Sequence, residues 1–226
     1  MPRALILALV LALSLVAAGC GGSSDESTAT TAETATDTTS STAGGCTDVD
    51  LPPAREDGGA TAPTERLDPE QTYRLVFETN CGSFTITLDL ESAPATSASL
   101  VSLAKSGFYD GTIFHRIVPG FVIQGGDPTQ TGAGGPGYQT VDAPAQDTQY
   151  VKGVVAMAKT ASEPAGTAGS QFFVVTGADI GLPPDYAVVG TVTDGLPVVE
   201  LIGTLGDEAE QPTQPVVIES VTVEEQ

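Results

Sequence analysis

After Leu67 the chain is a succession of short apolar runs cut apart by Gly and Pro, and that rhythm constrains the fold more than any other feature. Tyr73-Arg74-Leu75-Val76-Phe77 and Phe84-Thr85-Ile86-Thr87-Leu88-Asp89-Leu90 have strand composition, and the second alternates apolar with polar residues. Between them, Asn80-Cys81-Gly82-Ser83 predicts a tight hairpin turn. Pro94 opens a helix that runs to Lys105, with Ala98, Val101, Leu103 and Ala104 on its apolar side and Gly107 closing it. Further apolar runs follow at 113–118, 121–124, 153–158, 171–176, 187–192 and 215–223, with a short helix predicted from Pro197 to Ile202. Many short strands, few helices and turn signals between them indicate a mainly β chain, closed or nearly closed into a barrel.

The first third of the chain has a different character. Arg3 precedes an apolar run from Ala4 to Val16, shorter than a comfortable bilayer span and typical of a signal sequence. It ends in Val16-Ala17-Ala18-Gly19-Cys20, small residues before a cysteine, which resembles a bacterial lipobox. Residues 1–19 are therefore expected to be a lipoprotein signal peptide, with Cys20 diacylated, palmitoylated and first in the mature chain. A plain secretory signal is the alternative. From Gly21 to Gly44 nothing larger than Ala or Thr is available to bury, so ordering entropy is not offset. Pro and Gly continue as far as Glu65, and residues 20–65 are expected to be a disordered tether with an r.m.s. reach of roughly 35–40 Å. The folded domain is expected at 66–226.

The chain carries 8 Lys plus Arg against 29 Asp plus Glu, a net charge of −21. Such a balance argues against nucleic acid, because phosphate binding needs clustered cations, and against a basic patch on anionic lipid. His115 is the sole histidine, which leaves no imidazole metal site, and the three cysteines lack zinc-like spacing. No metal or cofactor is expected. Once Cys20 is lipidated, Cys46 and Cys81 remain, and an even remainder in an exported protein favours a disulfide. That bond would contribute roughly 4 kcal/mol on the loop-entropy view; two free thiols are the alternative.

Residues 112–127 read TIFHRIVPGFVIQGGD, with Arg116 inside an apolar strand of a cation-poor chain. A half-buried arginine needs a partner, so it is either ion-paired or aimed at a ligand. The run from Phe114 to Asp127 closely resembles the signature of cyclophilin-type peptidyl-prolyl isomerases. Two further blocks fall in that family's order: Gly153-Val154-Val155-Ala156-Met157-Ala158 and Gly169-Ser170-Gln171-Phe172-Phe173. The resemblance extends over about residues 70–224. It implies a closed eight-stranded antiparallel β-barrel capped by two α-helices.

It also implies a site. Arg116 would be the catalytic arginine, oriented with help from Gln171, while Phe121, Met157, Phe173 and Leu182 line a pocket for the proline ring. Gln124 would bond the peptide backbone, and Ala158 with the main chain of Lys159 would face the residue before proline. His115 would be structural. Tyr186 stands where many members have histidine and is retained as a substrate contact; Gly181 stands where many eukaryotic members have tryptophan, which would weaken cyclosporin binding. The glycines of 125–137 superficially suggest a phosphate cradle, but without a Gly-Lys-Ser/Thr ending they read as a surface loop. The implied function is X–Pro isomerisation in exported proteins by a monomer lipid-anchored outside the cytoplasm. A tethered proline-peptide binding or holdase module with little catalysis is the alternative.

Overall fold

The computed structural model describes residues 45–226; the expected signal peptide and Cys20 lie outside the described residues. The first hairpin comprises β1 (Tyr73–Thr79) and β2 (Gly82–Leu88), followed by α1 (Pro94–Lys105). Next come β3 (Thr112–Val118), β4 (Val122–Asp127), β5 (Thr140–Val141), β6 (Val154–Met157), β7 (Thr167–Ala168) and β8 (Phe172–Val175). The chain ends with β9 (Val188–Asp194), α2 (Leu196–Ile202) and β10 (Val217–Glu225). Eight strands close into an antiparallel barrel in the order β1-β10-β3-β4-β8-β6-β9-β2, while β5 and β7 pair by themselves. The expected barrel and both helices are thus present.

Period-2 alternation fills the barrel. Phe77 sits opposite Phe84 in the first hairpin, and the two rings stack at 4.9 Å with Phe172 tilted against Phe77. Leu75, Ile86, Phe114, Ile117, Ile123, Val155, Met157 and Val174 complete the interior. The alternate residues of β4, β6 and β8 face outward. Val122, Val154, Ala156, Phe173 and Val175 gather there with Tyr150 in a second apolar cluster on the outside of the barrel.

That alternation corrects one expected pocket residue. Met157 is wholly buried and belongs to the barrel interior. Its strand neighbours Ala156 and Ala158 carry the outward face, since adjacent strand residues point to opposite sides.

Helix α1 starts on Pro94 without a cap from its own preceding residue. Asp142, far along the chain, supplies the acceptor: its Oδ2 takes bonds from the Thr96 N–H and Oγ1, both at 2.7 Å.

Composition extends the tether to residue 65, whereas residues 46–60 are bonded to the β1–β2 turn and to the loop that follows β4. Cys46 is disulfide-bonded to Cys81, and the Thr47 N–H donates to the Asn80 carbonyl at 2.7 Å. Further on, the N–H groups of Arg55, Gly58 and Ala60 donate to the carbonyls of Pro128, Gly135 and Pro136. The Arg55 guanidinium lies over the Phe108 ring, 5.7 Å from its centroid. A strap with few apolar side chains is held here by main-chain bonds, which composition does not reveal.

Candidate active site

Two irregularities between β3 and β4 aim the central arginine. Ile113 pairs with Asp127 and Phe114 with Gly125, so Gly126 is an extra residue on β4. Its φ of +84° and the Ser170 carbonyl 2.6 Å from where a Cβ would sit restrict the position to glycine. Arg116 then pairs with Gln124, which leaves His115 as an extra residue on β3. A bulge reverses the inside–outside phase of the strand. Phe114 and Ile117 both point into the barrel, while Arg116 emerges beside the outer cluster.

There Arg116 joins a cavity of about 320 Å³ lined by Phe121, Val122, Gln124, Ala158, Lys159, Phe173, Leu182 and Tyr186. Of the residues the resemblance implied, only Met157 is missing from this group and from the chain of amides behind it. Val122 takes its place: it follows Phe121 directly and faces out with Gln124, a parity that the strand alternation alone discloses. Behind the cavity, Phe173 and Tyr186 meet edge to face at 5.5 Å, and Tyr186 does the same with Tyr150 at 6.0 Å. The Tyr150 hydroxyl donates to the Tyr186 carbonyl at 2.8 Å and accepts from its N–H at 3.0 Å, fixing that wall.

A relay of amides lies along the floor. Arg116 Nη1 donates to Gln124 Oε1 at 3.4 Å, Gln124 Nε2 to Gln171 Oε1 at 3.0 Å, and Gln171 Nε2 to the Gly134 carbonyl at 2.8 Å. Gln171 therefore reaches Arg116 through Gln124 rather than directly. Arg116 Nε donates to Glu210 Oε2 at 2.7 Å, an ion pair that no motif announces because Glu210 comes from an acidic loop 94 residues downstream. Both alternatives for this arginine are met: it is ion-paired and it borders a cavity.

Lys159 is tied down by its side chain and open at its backbone. Its ammonium is buried, 2.5 Å from Asp185 and bonded to the carbonyls of Thr160 and Glu163. It also lies over the Tyr186 ring, so it joins the loops on two sides of the cavity.

The glycine-rich stretch is less superficial than its composition suggests. Gly125, Gly126 and Asp127 belong to β4, and 132–137 line a neighbouring groove of about 620 Å³ that shares Gln124, Ala158 and Lys159 with the first cavity. Asp127 gathers this loop. Its carboxylate accepts from Thr129 N and Oγ1, Thr131 N, Gly132 N and Gly134 N. Burial alone would raise its pKa, but donors from Thr129, Gly134 and Gly132 outweigh that and hold it below the ordinary carboxylate range. His115 is buried beside it with neither ring nitrogen bonded to protein. Burial lowers its pKa, Asp127 pulls it back up and Arg116 lowers it further.

Known proteins share both the sequence and the architecture. A family model described as "Cyclophilin type peptidyl-prolyl cis-trans isomerase/CLD" matches residues 74–223. Peptidyl-prolyl cis-trans isomerase A of Mycobacterium tuberculosis is 41% identical over 174 residues, covering 69% of this chain and 94% of its own. A Schizosaccharomyces pombe peptidyl-prolyl cis-trans isomerase is 38% identical over 147 residues, covering 63% and 93%. A Cryptosporidium parvum cyclophilin-type isomerase, solved in the presence of the dipeptide Ala-Pro, superposes with a TM-score of 0.62 at 30% identity, covering 67% of this chain and 98% of that one. With the signature strands, the barrel and the arginine-bordered cavity in one molecule, the chain belongs to the cyclophilin-type family and is a peptidyl-prolyl cis-trans isomerase.

Proposed function

We propose that the chain accelerates cis–trans exchange of X–Pro bonds in exported polypeptides, with Arg116 stabilising the twisted amide. Resonance opposes rotation by about 18–20 kcal/mol, and uncatalysed exchange takes ~10–100 s. In the transition state the prolyl nitrogen is pyramidal and its lone pair accepts a hydrogen bond. A guanidinium aimed at that nitrogen binds the twisted form better than either planar form, which is what lowers a barrier. Phe121, Val122, Phe173 and Leu182 hold the ring, while Gln124 takes the peptide backbone, so rotation is confined to one bond. No proton changes hands in this scheme.

One observation carries the reading: Arg116 leaves the barrel wall at the rim of an apolar cavity whose other polar lining includes Gln124. The Ala-Pro dipeptide used with the Cryptosporidium parvum relative supports proline-containing segments as substrates. Removing a charge-assisted bond worth ~1.5–3 kcal/mol slows catalysis about ten- to a hundredfold. NMR exchange on an Ala-Pro-Phe peptide tests this with the full chain and Arg116→Ala. Peptide binding without acceleration, alike in both proteins, refutes the arginine mechanism and leaves a proline-peptide binder.

The lipobox at Cys20 and the Cys46–Cys81 disulfide support a site of action outside the cytoplasm, anchored by lipid. In bacterial fractionation, Cys20→Ser is expected to move the protein from membrane to soluble fractions. Unchanged membrane association refutes the anchor.

A further inference from the structure

Glu210 occupies a backbone conformation that its residue type disfavours. Its φ is +63°, and among the described residues only Gln130 shares a positive φ without being glycine. Glycine adopts that conformation freely, so a glutamate there implies a use for its side chain. The surrounding turn holds it firmly. Glu210 N–H donates to the Asp207 carbonyl at 3.0 Å, and Asp207 Oδ1 accepts from Ala209 and Gln211 N–H at 2.8 and 2.9 Å.

The turn is docked on β3 beside the arginine. Ile117 N–H donates to the Glu210 carbonyl at 3.0 Å, while the Glu210 carboxylate takes Arg116 Nε at 2.7 Å. One residue thus grips two successive positions of β3, the first through its side chain and the second through its main chain. Gly206, at the start of the turn, lies so close that a Cβ would sit 2.2 Å from the Ile117 carbonyl.

Arg116 is long, about one-third exposed, and among the described residues otherwise held only by Gln124 at 3.4 Å. Left to itself it would sample many rotamers. Glu210 engages Nε and Gln124 engages Nη1, so among the described residues Nη2 has no hydrogen-bond partner and its hydrogens are left for an acceptor. We infer that Glu210 is a positioning residue for isomerisation, holding the Arg116 guanidinium at the cavity rim through its Nε edge. The inference rests on the proposed role of Arg116 as the group that meets the prolyl nitrogen.

Glu210→Gly and Glu210→Gln in the full chain test it, each alone and combined with Arg116→Ala. Glycine suits the +63° backbone, so Glu210→Gly keeps or raises the melting temperature, and Glu210→Gln keeps the side-chain length. NMR exchange across a titration with an Ala-Pro-Phe peptide should show kcat lowered about twofold to fivefold in both, the loss an ion pair of this exposure sustains. KM should stay within about twofold, because the ring pocket is untouched. The Arg116 Nε–H resonance should shift and exchange faster with water. In the Arg116→Ala background neither change should slow the reaction further.

Wild-type kcat in both single variants, with Arg116→Ala still slow, overturns the role of Glu210 and leaves that of Arg116 standing. An equal slowing with and without Arg116 also overturns it. Arg116→Ala as fast as wild type overturns both.

Discussion

Replacing Asp127 by Asn tests how far the candidate active site depends on a carboxylate that does not line its cavity. The side chain is fully buried, and its two oxygens accept five donors: Thr129 N and Oγ1 on Oδ1, and Thr131, Gly132 and Gly134 N–H on Oδ2. An amide of the same shape offers one oxygen and an NH2 group that accepts nothing. Turned the better way, it keeps the three bonds of Oδ2 without their charge assistance and strands the Thr129 N–H. Thr129 Oγ1 can turn to Thr131 Oγ1 at 2.7 Å, which limits the damage. One stranded N–H costs ~1–3 kcal/mol and the weakened bonds add to it, giving a loss of about 3 kcal/mol. For a folded part of this size that is a fall of about 6–12 °C in melting temperature. The loop also carries the Gly134 carbonyl that holds Gln171, so isomerase kcat/KM should drop about twofold to fivefold as the amide relay behind Arg116 loosens. The difference between the proteins depends on pH in a fixed sense. Because the folded pKa of Asp127 lies below 3.8, its stabilisation is complete above that value and is lost as pH falls through the folded value. Thermal melts from pH 7 down should show the two proteins converging in acid. A melting temperature within about 2 °C of wild type at pH 7, or a gap that persists in acid, refutes the reasoning.

Three other outcomes are expected. The Cys46→Ser/Cys81→Ser double variant loses about 4 kcal/mol of unfolding free energy on the loop-entropy model for a separation of 35 residues, and an unchanged denaturant midpoint contradicts this. His115 is held neutral by burial, so the unfolded chain takes up a proton below its ordinary 6.5 that the fold refuses. Stability should therefore decline as pH drops from 6.5 toward the lowered folded value, and His115→Gln should remove that part of the slope in equilibrium unfolding. Met157→Ala should cost about 2–5 kcal/mol of stability with KM unmoved, whereas Val122→Ala should raise KM for an Ala-Pro-Phe peptide; the reverse pattern contradicts the assignment of Met157 to the interior.

The eight barrel strands, both helices and the disulfide pair were legible because each rests on local chemistry, whereas the two-residue strands β5 and β7 carry no apolar run to announce them. Alternation marked β2, Pro94 and Gly107 bracketed α1, and cysteine parity pointed to Cys46 and Cys81. The pieces that escaped depend on groups distant in sequence. Asp142 caps α1 across 46 residues, and the strap at 46–60 is recognisable only from the turn and loop carbonyls it meets. No propensity at either end announces such a bond.

Met157, Val122 and Arg116 show the same limit at finer grain. Which side of the wall a residue occupies follows from alternation counted within its own strand. On that count Met157 is inside and Val122 outside, whatever their likeness as apolar residues. On β3 the count itself is altered: Phe114 and Ile117 are three apart yet both point inward, because His115 is inserted against β4. Without that bulge Arg116 would share the phase of Phe114 and bury its charge among phenylalanines, at a cost no interior partner among the described residues could offset. The extra residue therefore decides whether Arg116 reaches the outer cavity at all. Its position is set jointly by His115 and Gly126 on paired strands, a property of the register rather than of either segment alone.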